Sequence, residues 1–555
     1  MKKYIYLALG TLMATSFTAC ELTEKPTSSY EKDTFFSTPE QAQMAVTGIY
    51  DCLSCNEHYG QFEMAMPCSD DTYYINGTGT DNTRRDIAHY MVKNTNTWIA
   101  SSWKYKYQGI DRASVAIDGI EHMAGFEEDA NLRDLAAQAH FLRAFLSFDL
   151  VKYWGDVPYS TKFTEGYGSA FKGRVDREVI YDAIIEDLNF AKNNLRKGDG
   201  MSPEIPSQGA AHTLLMRVYL QRAGYSLKMD GQLTRPDDTK RREYFQAVSD
   251  EWTAMKSKGY HGFYDGGYKE LFVGYSAGVL NSKESLWEIA FNPTGKGYTD
   301  NRGTWATYNG PLVEAPGAGA VNAQVMGRAN AFFRVLPAWK DFFEDSDERR
   351  DVMVCTYQYK WDKDAKAHVK AENKKVQDWY PGKWRREWMP LGFIDPNSTG
   401  VNYCPLRYAD AVLMAAEALN ELGQTPDAWN LLNQVRSRAG ATPIDASNYA
   451  TLMKAPKVYD LPFIPDGDEA GKFRTALYWE RGFELAFEGQ RKYDLLRWGF
   501  LAEALQLAEK NMDSSLKNKY VAGTKFIKGQ HELFPIPLGE LQANPQLEMK
   551  NNPGY

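Results

Sequence analysis

The chain is poor in the residues that staple or metallate a small fold. Six cysteines and eight histidines are spread over 555 residues. A chain of this length can bury about three quarters of its unfolded surface, so it needs neither a disulfide lattice nor a structural metal. Cys52-Leu53-Ser54-Cys55 has the spacing of half a zinc site, yet no second CxxC, HxH or HExxH pattern supplies the remaining ligands, and no metal site is expected. In an exported chain a disulfide among Cys52, Cys55 and Cys68 is open, with buried thiols as the alternative. Positive charge is not in excess either: 64 Lys and Arg stand against 72 Asp and Glu. That balance offers no footprint for a phosphate backbone and excludes nucleic acid as partner. No window holds 18 consecutive apolar residues beyond the leader, which argues against a spanning helix. Gly317-Ala318-Gly319 lacks the third glycine of a dinucleotide turn, and Pro381-Gly382-Lys383 is not a phosphate loop, so no cofactor is expected.

Aromatic residues are what the chain has in plenty. It carries 34 Tyr, 27 Phe and 14 Trp, and every Tyr and Trp joins a flat apolar face to a polar handle.

The first residues carry a compartment signal. Lys2 and Lys3 precede the short apolar stretch Tyr4 to Leu12, and Phe17-Thr18-Ala19 leads directly into Cys20. This is the pattern of a secretory leader over residues 1–19, and the last four residues resemble a lipobox, with Phe17 where leucine is usual. Cys20 would then be the acylated first residue of the mature chain, and the polar residues 20–37 a tether.

Beyond the tether, apolar residues recur at helical spacing. Thr38-Pro39-Glu40-Gln41 reads as an N-cap, a first-turn proline and a capping box, opening a helix to about Leu53. Leu135, Ala139, Leu142, Phe145, Leu146 and Leu150 mark a second helix within Leu132 to Trp154, stopped by Gly155. Further helices are expected over Trp103 to His122, Asp176 to Leu195, Gln208 to Arg222, Arg242 to Lys258, Tyr408 to Leu422, Pro426 to Ala439, Lys472 to Phe487 and Leu501 to Asn511. The helix pair from Arg407 to Gly440, and starts near Ser207 and Arg241, suggest the 34-residue period of tetratricopeptide repeats. Residues 259–405 differ, being rich in Gly, Asn, Tyr and Trp. A mostly α fold is expected, a single domain over 38–555 with helical scaffold at 38–258 and 406–555, and a loop-rich region with few short strands between.

Two motifs carry possible chemistry. Gly274-Tyr275-Ser276-Ala277-Gly278 matches the nucleophile elbow of hydrolases, but no alternating strand and helix pattern surrounds it, and it reads as a glycine-rich loop. In Glu480 to Trp498, acids and arginines alternate at helical spacing. Glu480, Glu484 and Glu488 would repel along one face unless paired, and Arg481, Arg491 and Arg497 are the expected partners.

The same stretch resembles the "ER…EL.FEG.R..DL.RW" signature of the SusD/RagB family of outer-membrane lipoproteins. Arg407-Tyr408-Ala409-Asp410 with Glu417-Ala418, Asn433 to Gly440, Tyr153 to Pro158, and the ending Leu533 to Pro537 with Asn552 to Tyr555 match further motifs of that family. The resemblance implies a SusD-like fold with four tetratricopeptide-like helix pairs. It implies a binding protein and not an enzyme, lipid-anchored in the outer membrane and facing the cell surface. It also implies capture of oligosaccharides, or in some branches peptides, for a SusC-like TonB-dependent transporter. A surface glycoside hydrolase is the rival from another class. The family varies its binding loops, so its motifs name no ligand residues.

A sugar presents a C–H face that stacks on an aromatic ring and hydroxyls that need polar groups at the edge. Three loops offer both: Ser69 to Trp98, Tyr298 to Tyr308 and Trp379 to Trp388. The candidate ligand residues are Asp71, Tyr73, Tyr74, Arg84, Asn96 and Trp98 in the first, Tyr298, Trp305 and Tyr308 in the second, and Trp384 in the third.

Overall fold

The computed structural model describes residues 35–61, 68–75, 79–198, 200–295, 300–455, 459–516 and 518–555. The leader, Cys20, most of the tether and Tyr298 lie outside the described residues.

Helix α1 (Pro39–Ser54) begins as its sequence dictates: the Thr38 side chain accepts from Gln41 N, and the Gln41 side chain returns to the Thr38 backbone. Its buried face, Ala42, Val46, Ile49 and Leu53, recurs at three- and four-residue steps and packs on α2 (Thr97–Glu121) and α3 (Ala130–Trp154). Helix α3 is buried on nearly every side from Leu132 to Trp154, because α1, α2 and α4 (Arg177–Asn194) surround it. Its charged residues are therefore paired: Arg143 donates to Asp187 at 2.6 and 2.9 Å, and Asp149 meets Lys106 at 3.2 Å and Lys152 at 2.7 Å. Gly155, at φ 72°, ends it where an added Cβ would meet the Arg177 guanidinium at 2.6 Å.

The scaffold continues with α5 (Gln208–Ala223) and α6 (Asp238–Lys258). The second of these begins before the expected Arg241, because the Asp237 carboxylate caps Lys240 N and starts the helix early. The 34-residue spacing from Ser207 is therefore not kept. After the loop-rich region, α7 (Tyr408–Glu421) and α8 (Thr425–Arg438) form a tight helical hairpin around Gly423, whose φ is 85°. Helices α9 (Glu469–Leu485), α10 (Arg491–Arg497) and α11 (Leu501–Lys510) complete the scaffold.

Strands are short and pair only in twos among the described residues. Strand β1 (Thr72–Tyr74) pairs antiparallel with β2 (Phe333–Val335), Tyr73 opposite Arg334. The longest pair is the hairpin Tyr357–Asp362 with Ala367–Glu372. The mostly helical fold with a loop-rich centre is thus present.

The elbow motif is not a loop. It lies at the end of a helix over Gly267–Ala277, with Gly278 in the left-handed C-cap position. Leu271 to Val273 are helical and not a strand, and Ser276 is buried. The strand-to-helix turn that exposes a nucleophile is therefore missing.

The three glutamates are paired, but with other partners. Glu480 receives Arg349 at 2.6 Å and Arg436 at 3.0 Å; Glu484 receives Arg407 at 2.7 Å, Arg349 at 3.3 Å and Arg438; Glu488 receives Arg407 and Lys383. The expected Arg481 instead meets Asp410 and Asp494, Arg491 meets Asp70, and Arg497 meets Glu417 and Asp494. The reason is helical geometry. Arg481 points about 100° away from Glu480, so it serves a different side of α9. The glutamate face looks onto the central region, which contributes Arg349 and Lys383.

Candidate functional site

Asn96 builds the first wall of the site. Its side-chain carbonyl accepts from Trp98 N and Ile99 N at 3.1 and 3.2 Å, capping α2, and its Nδ2 donates to Thr83 O at 3.0 Å. One buried side chain thereby fixes both the first turn of α2, which carries Trp98, and the start of the short helix Arg84–Ala88. The β1–β2 pair builds the second wall: it continues as Ile75 N donating to Phe332 O, while Phe332 N donates to Tyr308 O, both at 3.0 Å.

Arg84 stands where these walls meet. Its guanidinium carbon lies 3.9 Å from the Phe332 ring centre, 5.7 Å from Trp98 and 5.8 Å from Tyr308. Arg84 Nε donates to the Tyr74 hydroxyl at 3.0 Å. Burial raises the Tyr74 phenol, so it stays protonated while accepting that bond. Tyr74 stacks in turn on Phe332 at 5.9 Å and 16°, and Tyr308 meets Phe332 edge-on at 4.9 Å. Arg84, Trp98, Tyr308 and Phe332 are all half-buried, and Arg84 makes no ion pair among the described residues. Cation–π contacts of this kind hold a guanidinium at about 0.5–2 kcal/mol each without consuming its outer N–H donors. The arrangement is a ring-lined surface with an oriented, unneutralised fork of donors at its edge.

Of the expected ligand residues, the structure therefore brings together Arg84, Trp98 and Tyr308, with Tyr74 beneath them and Asn96 as the cap that orients them. Tyr74 and Asn96 are each 1% exposed, so they support the surface and do not reach a ligand, and the others are corrected by burial. Asp71 is 2% exposed and accepts from the Ser69 and Thr72 hydroxyls. Tyr73 is 1% exposed and donates to Gln377 O at 2.9 Å, since strand alternation turns it to the face opposite Thr72 and into the core. Trp305 is fully buried, its Nε1 satisfied by Val401 O at 2.9 Å. Trp384 packs against it with ring centres 4.3 Å apart. These two indoles are core: they pack among Phe272, Val401 and Tyr403 inside the central region. Phe332 was not among the candidates, as it lacks a polar handle. Its signal was the Phe332-Phe333 doublet at the start of a strand, where extended backbone sets one ring on each face.

Among the described residues, no group of three or more His, Cys, Asp or Glu is placed to hold a metal. Cys52, Cys55, Cys68, Cys355 and Cys404 are free thiols, so the open disulfide is not formed. Burial pushes the Cys52 thiol up to about 12. No helix among the described residues is long and apolar enough to cross a membrane.

Residues 283–555 match the model of the SusD family, and residues 22–220 match a model described as starch-binding associating with outer membrane. A SusD-like protein of Formosa agariphila is 26% identical over the full length of both chains. The crystal structure of a SusD homolog from Bacteroides thetaiotaomicron superposes with a TM-score of 0.78 at 26% identity, covering 94% of this chain and 98% of that one. A laminarin-binding SusD-like protein superposes at 0.67 with 23% identity, covering 94% and 100%. The two family models between them take in most of the scaffold and the central region, and the fold agrees over 94% of the chain: the chain belongs to the SusD/RagB family.

Proposed function

We propose that the protein captures a glycan chain at the Arg84, Trp98, Tyr308 and Phe332 surface. The observation that carries this is the unneutralised Arg84 fork held among three half-buried rings. The rings accept the C–H faces of successive sugars, and the guanidinium donates to their hydroxyls. The laminarin-binding relative supports a glycan as the ligand class. The role is binding, and no side chain is assigned a reaction. A lipid on Cys20 would hold the mature chain on the outer membrane, facing the cell surface. From there it would hand oligosaccharides to a SusC-like TonB-dependent transporter. The match to a model described as associating with the outer membrane supports that location. Affinity electrophoresis through a panel of glycans tests the binding role: retardation by at least one polysaccharide is expected, and reducing ends released during incubation would contradict it.

A further inference from the structure

A second ligand-sized cleft lies on the helical scaffold, about 420 Å³ in volume and sharing no residue with the Arg84 surface. It opens where the end of α5 meets α7, α9 and the turn after α10. Its two sides are locked together. Tyr225 N donates to Arg497 O at 2.7 Å, and a Cβ on Gly224 would meet that same carbonyl at 2.5 Å, so only glycine permits the approach. The floor is electrically closed. Arg497 pairs with both Glu417 and Asp494, and Trp498 Nε1 donates to Glu417 at 2.9 Å, which fixes the indole plane. Phe463 and Phe500, 5.2 Å apart, add two more half-buried rings. A cleft held in this way is formed before any ligand arrives, which lowers the ordering cost of binding.

Three arginines stand on the rim, and two of them are neutralised. Arg474 is matched by Glu421 at 2.6 and 3.2 Å, and Arg241 sits between Asp238 at 3.1 Å and Glu421 at 3.8 Å. Arg235 is exposed, lies 5.2 Å over the Tyr225 ring and has no ion pair among the described residues. Apolar rings thus form the wall, and an oriented guanidinium with free donors stands at the mouth. We propose that this cleft binds one uronic acid unit, its ring face against the aromatic wall and its carboxylate on Arg235. A charge-assisted fork of this type is worth about tenfold or more in affinity. With a separate surface at Arg84, one chain could hold an acidic polysaccharide at two points, raising avidity without a new contact.

The test is a ligand-observed NMR titration of the full mature chain with D-glucuronate, D-galacturonate and neutral D-glucose. At least one uronate is expected to bind more tightly than glucose. Arg235→Ala should remove that preference by about tenfold. Arg235 is exposed, so its replacement does not threaten the fold. Failure of both uronates to bind, equal binding of glucose, or an Arg235→Ala variant that keeps the wild-type preference would overturn the assignment. Displacement of the uronate by an acidic tripeptide of equal affinity would give the cleft to peptides and overturn it too. None of these results bears on glycan retardation at the Arg84 surface, so the two proposals fail separately.

Discussion

The Arg84 guanidinium lies 3.9 Å from the Phe332 ring centre and donates to the Tyr74 hydroxyl, with no carboxylate paired to it among the described residues. A charge placed against rings keeps its orientation while retaining donors for a ligand. A charge placed against an acid would not. This difference sets Arg84 apart from the buried arginines of the scaffold, each of which spends its donors on glutamate or aspartate.

Replacing Arg84 should therefore act on binding and not on folding. Arg84→Ala is expected to weaken glycan binding about tenfold, from the loss of charge-assisted hydrogen bonds. Arg84→Lys should restore only part of it, because an ammonium lacks the planar fork. Isothermal titration of both variants with a glycan that retards the wild type measures this.

Trp305 and Trp98 should separate cleanly. Trp305→Ala removes a fully buried indole and its bond to Val401 O, which is expected to cost about 3–5 kcal/mol of stability. Chemical denaturation would show it as a lower midpoint. Trp98→Ala should leave the denaturation midpoint nearly unchanged.

Sequence alone reached the helices and only half of the site, for a physical reason. Helical periodicity is local, so Ala42, Val46 and Ile49, or Leu135 through Leu150, announce their own element. Thr38, Pro39 and Gln41 even announced the cap. What a loop residue touches is not local. Trp98 and Trp305 have similar neighbours in sequence, yet one stands at a capped helix start on the surface and the other is sealed under Val401. The glutamates of α9 show the same limit. That they must be paired followed from their spacing, but the partners Arg349 and Lys383 come from chain more than a hundred residues earlier.

Glu484 should make the protein sensitive to acid. Burial would raise its carboxyl, but Arg438, Arg407 and Arg349 overcome this and hold it at about 2, against 4.5 ordinarily. Its contribution is present above pH 4.5 and is lost as pH falls through about 2. Glu484→Gln breaks a buried network and is expected to cost about 3–5 kcal/mol near neutral pH. The gap to the wild type should narrow as denaturation is repeated toward pH 2.

Glu288 should act in the opposite direction. Burial, aided by nearby Glu204, raises its carboxyl to about 7 despite hydrogen bonds from Ser285 and Asn402. The folded state holds this proton where the unfolded state does not, so the stability it supports is full below about pH 4.5 and is lost as pH rises through 7. Glu288→Gln keeps the acceptor for Asn402 and removes the charge. It is expected to gain on the order of 3 kcal/mol at pH 8 relative to wild type, and little at pH 4.5. Melting curves at the two values check the sign.

The central claim is that a glycan is held by the rings around Arg84. Its most direct test is the dissociation constant of Trp98→Ala beside that of the wild type, measured by isothermal titration with a glycan the wild type retains. The account predicts binding at least about tenfold weaker in the variant, as loss of one stacking ring requires, with the melting temperature unchanged. Wild-type affinity in Trp98→Ala, with the fold intact, would contradict it.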